Sequence, residues 1–406
     1  RPGVLMRPDR RSWLGRLAAL PLAGVLPTPA RADTAPPAQR LALGWRGTAR
    51  PDGSSADRVG IVVADWAAGT LRVVADLPAP GRVHGLLGAD DGGVLAVATR
   101  PGRWLMQMAA DGSVRQRIAT GPEEASRDGF AATTLNGHAE RRVEGHLLST
   151  AETAPATGQG HLGVREATTL RRLAHWPVPG VDPHQIVRTP DGQLLVAIGG
   201  IARDAQGRKT ALDRMAPALL QIDPRDGRVT GRWTLPDPRL SIRHLAWSHA
   251  DDATGHPRRL GVALQAEHDD PAQRRQAPTL AVWDGTTLQL PGADAQAGGY
   301  AGDIAPGPAD GFVLSAEKTG RGLWWLPDRP AQLVPVAALD EVCALTGWQD
   351  DAGAGVLLGA RRGLARWHAH QPPRMLAWPA AMVPDNHAVL LPQGPNDSYQ
   401  LFDTNK

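Results

Sequence analysis

Five histidines recur along this chain, at His84, His138, His184, His244 and His387, and Tyr300 and Cys343 stand where the same spacing leaves room for two more. The steps between successive members of this series are 54, 46, 60, 56, 43 and 44 residues. Imidazole, thiolate and phenolate are side chains that iron and copper accept, and imidazole suits both. Seven such residues meeting at one point make a candidate site for iron, haem or copper. No short-range metal spacing such as HxxxH on a helix is present, so any convergence has to come from a repeating fold. Two bland readings stand beside this one. A histidine in a "GH" or "RH" turn often only bonds a neighbouring strand, and a single cysteine often packs as a small apolar residue. Against the first, five of only 13 histidines fall in equivalent places.

The elements that must position these residues are short strands. "RVGIVVADW", "TLRVVADLP", "GVLAVATR", "QLLVAIGG", "RLGVALQ" and "GVLLGA" are β-branched or leucine-rich runs bounded by Gly, Pro or Asp. "DG" turns recur at Asp111-Gly112, Asp191-Gly192, Asp226-Gly227 and Asp310-Gly311, the pattern of an all-β fold. Four strands in roughly 45–50 residues is the period of a β-propeller blade. The series predicts a single propeller of seven four-stranded blades over residues 33–406. "RLALGWRG", "RVGIVVADW" and "TLRVVADLP" are three strands before His84, and "HAVLL" at the other end is one strand without a blade. The C-terminal strand is therefore expected to complete the N-terminal blade and close the ring, which removes exposed sheet edges.

In a propeller the first strand of each blade lines the central channel, so the series points into a funnel. Arg82, Arg103 and Arg243 lie on the same loops and are candidates to hold an anionic ligand through charge-assisted bonds, with strand-end ion pairing as the alternative. Gln185 and Gln265 are candidate neutral donors. Glu152, Glu317 and Glu341 could supply acid–base chemistry, although nothing in the sequence pairs them. Two polar insertions, 201–214 and 266–278, either cap the funnel or extend into solvent. The tryptophans fall mostly on strands and are expected to pack between blades.

Residues 1–32 read as an export signal of the twin-arginine type. Arg10 and Arg11 precede an apolar run from Leu14 to Leu26, and Ala30-Arg31-Ala32 offers a small-x-small cleavage site. That run is too short for a membrane span, so no stable span is expected in the mature chain, which is expected in the periplasm. Beyond residue 32 lie 38 of the 44 basic and 40 of the 41 acidic residues, a net charge near −2. Without a basic run there is no nucleic-acid face. One cysteine excludes an intrachain disulfide, and there is no CxxCH, no GxSxG elbow and no Gly-rich phosphate loop.

"RPGR" at 100–103, "PHQIV" at 183–187, "GGI" at 199–201, "LDRMAPALL" at 212–220 and "LSIRHLA" at 240–246, with the Tyr300 and Cys343 blocks, carry a family likeness. The chain resembles, from about Arg82 to Cys343, a family of exported bacterial proteins known as a domain of unknown function. Genes of that family often lie beside imelysin-type and dihaem-oxidase-like genes associated with iron acquisition. The resemblance implies a propeller in the periplasm with iron-uptake proteins as partners, and it assigns no activity. Three functions stay open at this point: a metal-handling or redox protein, a cofactor-free binding platform, and a hydrolase or lyase acting on a small anionic substrate in the funnel.

Overall fold

A computed structural model describes residues 36–48, 56–204, 206–249, 258–292, 295–351 and 353–393. The candidate signal at 1–32 lies outside the described residues. Among them no helix is long and apolar enough to cross a membrane. Seven four-stranded antiparallel sheets are present, together with one two-stranded ribbon.

The seven four-stranded sheets are blades, and six of them begin with an inner strand and step outward in chain order. The inner strands of blades 2 to 7 are Val83–Gly88, Thr134–Arg141, Pro183–Arg188, Leu240–Trp247, Ile304–Pro306 and Ala344–Asp350. Blade 1 is assembled from both ends of the chain. Its sheet order is Thr70–Pro78, Asp57–Asp65, Gln39–Arg46 and then Val383–Leu391, which takes the inner position. Arg40 pairs with Leu391, Leu41 with Leu390, Ala42 with Val389 and Leu43 with Ala388 before a bulge shifts the register to Trp45 opposite Pro384. The fold is thus the predicted seven-bladed β-propeller, closed by the C-terminal strand.

Apolar residues on both faces of the middle strands explain why the blades assemble. "LALGW", "GIVVA" and "VLAVA" are buried almost throughout, as strands packed on two sides must be. Every seam between neighbouring blades holds an apolar cluster. Leu41, Leu43, Trp348 and Leu357 join blades 7 and 1, while Val59, Val83 and Trp104 join blades 1 and 2. Between blades 5 and 6 the same place is filled by Phe312 and Ile304 against Ala246. Trp104, Trp283, Trp325, Trp348 and Trp367 sit in these seams, as their places on strands suggested.

Both insertions lie on one face. Ala202–Arg203 pairs with Lys209–Thr210 as the two-stranded ribbon, and 266–278 carries a six-residue helix, Pro271–Gln276, capped by the Asp270 side chain. Lys209 forms an ion pair with Glu267, tying the two insertions together. Removing residues 383–406 should leave blade 1 without its inner strand and expose both adjoining seams. By circular dichroism the full chain is expected to unfold in a single cooperative transition and the truncated chain to lack it; retention of that transition would show that closure is dispensable.

Candidate metal centre

The inner strands bring the five histidines together on the propeller axis. Ring centroids of His84, His138, His184 and His244 lie 4.6–6.0 Å apart, and His387 adds a fifth ring 4.6–4.9 Å from His244, His84 and His138. One nitrogen from each of His84, His138, His184 and His244 falls within a common 4.8 Å. The Nε2 atoms of His84 and His184 are 3.4 Å apart, and those of His184 and His244 are 3.0 Å apart. Nitrogens bound at 2.0–2.1 Å to one ion, at tetrahedral to square angles, stand roughly 2.9–3.4 Å apart. The 3.4 and 3.0 Å spacings therefore match neighbouring ligands of a single ion.

Two glycines let the rings approach. A Cβ on Gly85 would stand 2.0 Å from the Gly137 carbonyl oxygen, so the inner strands of blades 2 and 3 can meet only with glycine there. Gly137 has φ +103°, and a Cβ on it would sit 2.4 Å from Cδ2 of His84. The "HG" at 84–85 and "GH" at 137–138 are thus a matched pair that sets the distance between two ligand rings.

Burial sets the electrostatics. His184 and His244 are 1 % exposed, His138 6 % and His84 7 %. Desolvation, reinforced by neighbouring imidazoles and Arg100, holds all four well below the ordinary imidazole range, so they are neutral and able to offer lone pairs at neutral pH. Nε2 of His138 and Nε2 of His387 are buried with no hydrogen-bond partner among the described residues.

Asp303 is the residue that sequence spacing missed. Its carboxylate accepts from the backbone N–H of Ile304 and of Leu345, each at 2.9 Å, and lies 3.1 Å from Nδ1 of His387. A carboxylate on Nδ1–H leaves Nε2 of His387 as a free lone pair, the arrangement that orients metal-ligating histidines. His244, Asp303 and His387 also form a second possible ligand group.

Asp303, not Tyr300, takes the blade 6 place in the series. Blade 6 starts its inner strand at Ile304, later than the "GGY" alignment implied, and "GDIA" matches "RHLA" and "NHAV". Tyr300 lies upstream with the Lys318 ammonium 4.2 Å over its ring, and burial pushes its hydroxyl up to about 12. Cys343 does hold the blade 7 place but joins neither ligand group. Its Sγ is 3.4 Å from the Asp385 carbonyl oxygen, and burial raises its pKa, which keeps the thiol protonated.

The ligand-binding candidates divide. Arg82 and Arg103 line a cavity of about 470 Å³ whose wall includes His84. Arg243 does not; it is 2 % exposed and spent on an ion pair with Asp182, which also takes Arg100. Gln185 and Gln265 brace seams instead of facing a ligand. The Gln185 side-chain oxygen accepts from Leu245 N–H, and Gln265 donates to the Ala301 carbonyl. Each reaches a backbone group of the neighbouring blade or loop that needs a partner. Glu152 is equally committed, bound by Arg165, Thr133 and Thr150 and held down to about 2, with desolvation opposed by the Arg165 charge. Glu341 pairs with Arg361 at the surface.

A seven-bladed ring with this buried imidazole cluster defines the class: a propeller with a candidate metal centre on its axis. The chain belongs to the family described as "Protein of unknown function (DUF1513)", whose model matches residues 77–391. No curated protein matches it in sequence. Among solved structures it is similar to a functionally unknown protein from Desulfotomaculum acetoxidans, at 10 % identity over 87 % of this chain and 99 % of that one, TM-score 0.55. It is also similar to Kuenenia stuttgartiensis hydrazine synthase, at 10 % identity over 81 % of this chain and 94 % of that one, TM-score 0.53. At such identities these likenesses bear on the fold alone.

The buried imidazoles make stability depend on pH. Their folded pKa values lie below the unfolded value near 6.5, so the unfolded chain binds more protons as pH falls. Stability is complete above about pH 7 and drains below about pH 6.5, each histidine contributing up to about 1.4 kcal/mol per pH unit. Urea midpoints of chelator-treated protein from pH 8 to 5 should fall steeply in that window; a flat profile would mean the cluster is solvated.

Proposed function

We propose that the protein is a periplasmic metal-handling propeller, exported by the twin-arginine route, whose funnel imidazoles hold one iron or copper ion in the service of iron acquisition. The observation that carries this reading is the 3.0 and 3.4 Å spacing of three Nε2 atoms within a buried four-imidazole group. His84, His138, His184 and His244 are the ligands, His387 is the fifth donor, and Asp303 orients it. The donor set is all nitrogen, which suits copper, iron and zinc better than calcium or magnesium. Rings packed this closely leave no gap for a macrocycle between them, so the reading favours a bare ion over haem. The link to iron uptake, and to iron-uptake proteins as partners, rests on the family resemblance and its gene neighbours. Bound on the axis, the ion would supply Lewis-acid or one-electron chemistry beside the cavity that His84 helps to line.

The test is metal content and a visible spectrum on untagged protein, followed by titration of stripped protein with iron(II), copper(II) and zinc(II). One ion per chain is expected. Asp303→Asn should weaken binding roughly 10–100-fold by releasing the orientation of His387, and His184→Ala or His244→Ala should abolish stoichiometric loading. Protein that takes up none of the three ions would overturn the reading and leave the ring as packing.

A further inference from the structure

The cavity beside the imidazole cluster carries more positive charge than its own carboxylates absorb. Its charged lining is Arg82, Arg100, Arg103 and Arg203 against Asp182 and Asp204. Most of these are already committed. Arg82 pairs with Asp385 at 2.7 Å, Arg100 shares Asp182 with Arg243, and Asp204 is taken by Arg208 at 2.7 Å.

Two guanidinium groups are left over. The Arg103 side chain has no hydrogen bond or ion pair among the described residues, although it is exposed to the cavity. Arg203 donates one N–H to the Gly207 carbonyl, and its buried Nε has no partner among the described residues. Both residues line the cavity without an ion pair among the described residues, and carboxylates match the fork geometry of guanidinium. The ribbon formed by the 201–214 insertion holds Arg203 over the funnel, which gives that insertion a use. Pro101, Val181 and Ile201 add an apolar wall that a bare oxyanion would not need. At about 470 Å³ the space lies in the range of small-molecule pockets.

We propose that this cavity binds a small organic carboxylate, clamped by Arg103 and Arg203 beside the His84 edge of the imidazole cluster. The inference deepens the metal reading, because a carboxylate held here would lie beside the His84 edge of the proposed ion's site. The arginine clamp does not itself require the ion.

Isothermal titration of stripped, metal-free protein with acetate, succinate and citrate, and with inorganic phosphate as comparator, tests it. Saturable one-to-one binding of succinate or citrate is expected, weakened about tenfold or more in Arg103→Gln and in Arg203→Gln. Arg115→Gln, on an exposed pair with Asp91 in the outer strand of blade 2, should bind as the parent does. Arg103 makes no contact that folding needs, so its variant keeps the test decisive even where Arg203→Gln is unstable. Three results would overturn the proposal: no carboxylate binds, Arg103→Gln binds undiminished, or phosphate binds as tightly as the best carboxylate. Because no metal is present in the titration, carboxylate binding and metal loading succeed or fail separately.

Discussion

The pairing of Val383–Leu391 with Gln39–Arg46 is the interaction on which the remaining structure depends. Without it blade 1 lacks an inner strand, and the seams with blades 2 and 7 lose one wall. The same strand carries His387, which meets Asp303 of blade 6 and the rings of blades 2, 3 and 5. Closure of the ring and completion of the imidazole cluster are therefore one event. A residue near the C-terminal end of the described chain becomes a neighbour of one 303 positions earlier, as Arg82 and Asp385 show in their hydrogen bond.

Ring symmetry delivers seven equivalent places, and sequence then makes them unequal. Five receive imidazole, one receives Asp303 and one receives Cys343. The aspartate is held by two backbone N–H groups, of Ile304 and Leu345, which fix its carboxylate against His387. Two residues upstream of three of the histidines stand Arg82, Asn136 and Asp182, which line the cavity. Asn136 spends its amide on Pro183 of the next blade, and Asp182 gathers Arg100 and Arg243. In blades 2, 3 and 4 one short segment thus performs two tasks: its first polar residue stitches blades together, and the histidine after it offers a ligand atom.

The architecture was legible in sequence because blade period, "DG" turns and doubly buried strands are local signals. The five histidines were legible for the same reason: each lies on an inner strand with a small or aliphatic residue close after it. Asp303 was missed because the series was extended by distance from His244 to an aromatic residue, although "GDIA" carries the same aliphatic continuation as "RHLA". The roles of Arg243, Gln185 and Gln265 were not legible at all. Each is decided by a partner on another blade or beyond its own strand, Asp182, Leu245 or Ala301, and the sequence around a polar residue does not reveal which strand end it must satisfy. Arg103 and Arg203 differ from Arg243 in lacking such a carboxylate partner, which is likewise a property of the assembled ring.

Placing several imidazoles on one axis opposes folding unless something uses their lone pairs. Neutral rings with nitrogens 3.0–3.4 Å apart cannot all be satisfied by one another, since each N–H that donates leaves a second ring nitrogen to be matched. His138 and His387 each retain a buried nitrogen without a partner among the described residues. An ion that binds the folded ring and not the open chain converts that deficit into stability by mass action. On the proposed reading the order of events follows from topology. The fifth donor arrives only with the closing strand, so the complete site exists only in a folded ring, and the compartment where the ring closes decides which ion it meets first. A chain that closed before export, as the proposed signal implies, would meet its ion in the compartment where it folds. On the proposed reading, that would be a physical reason for export of a folded chain, and it derives from the position of one strand.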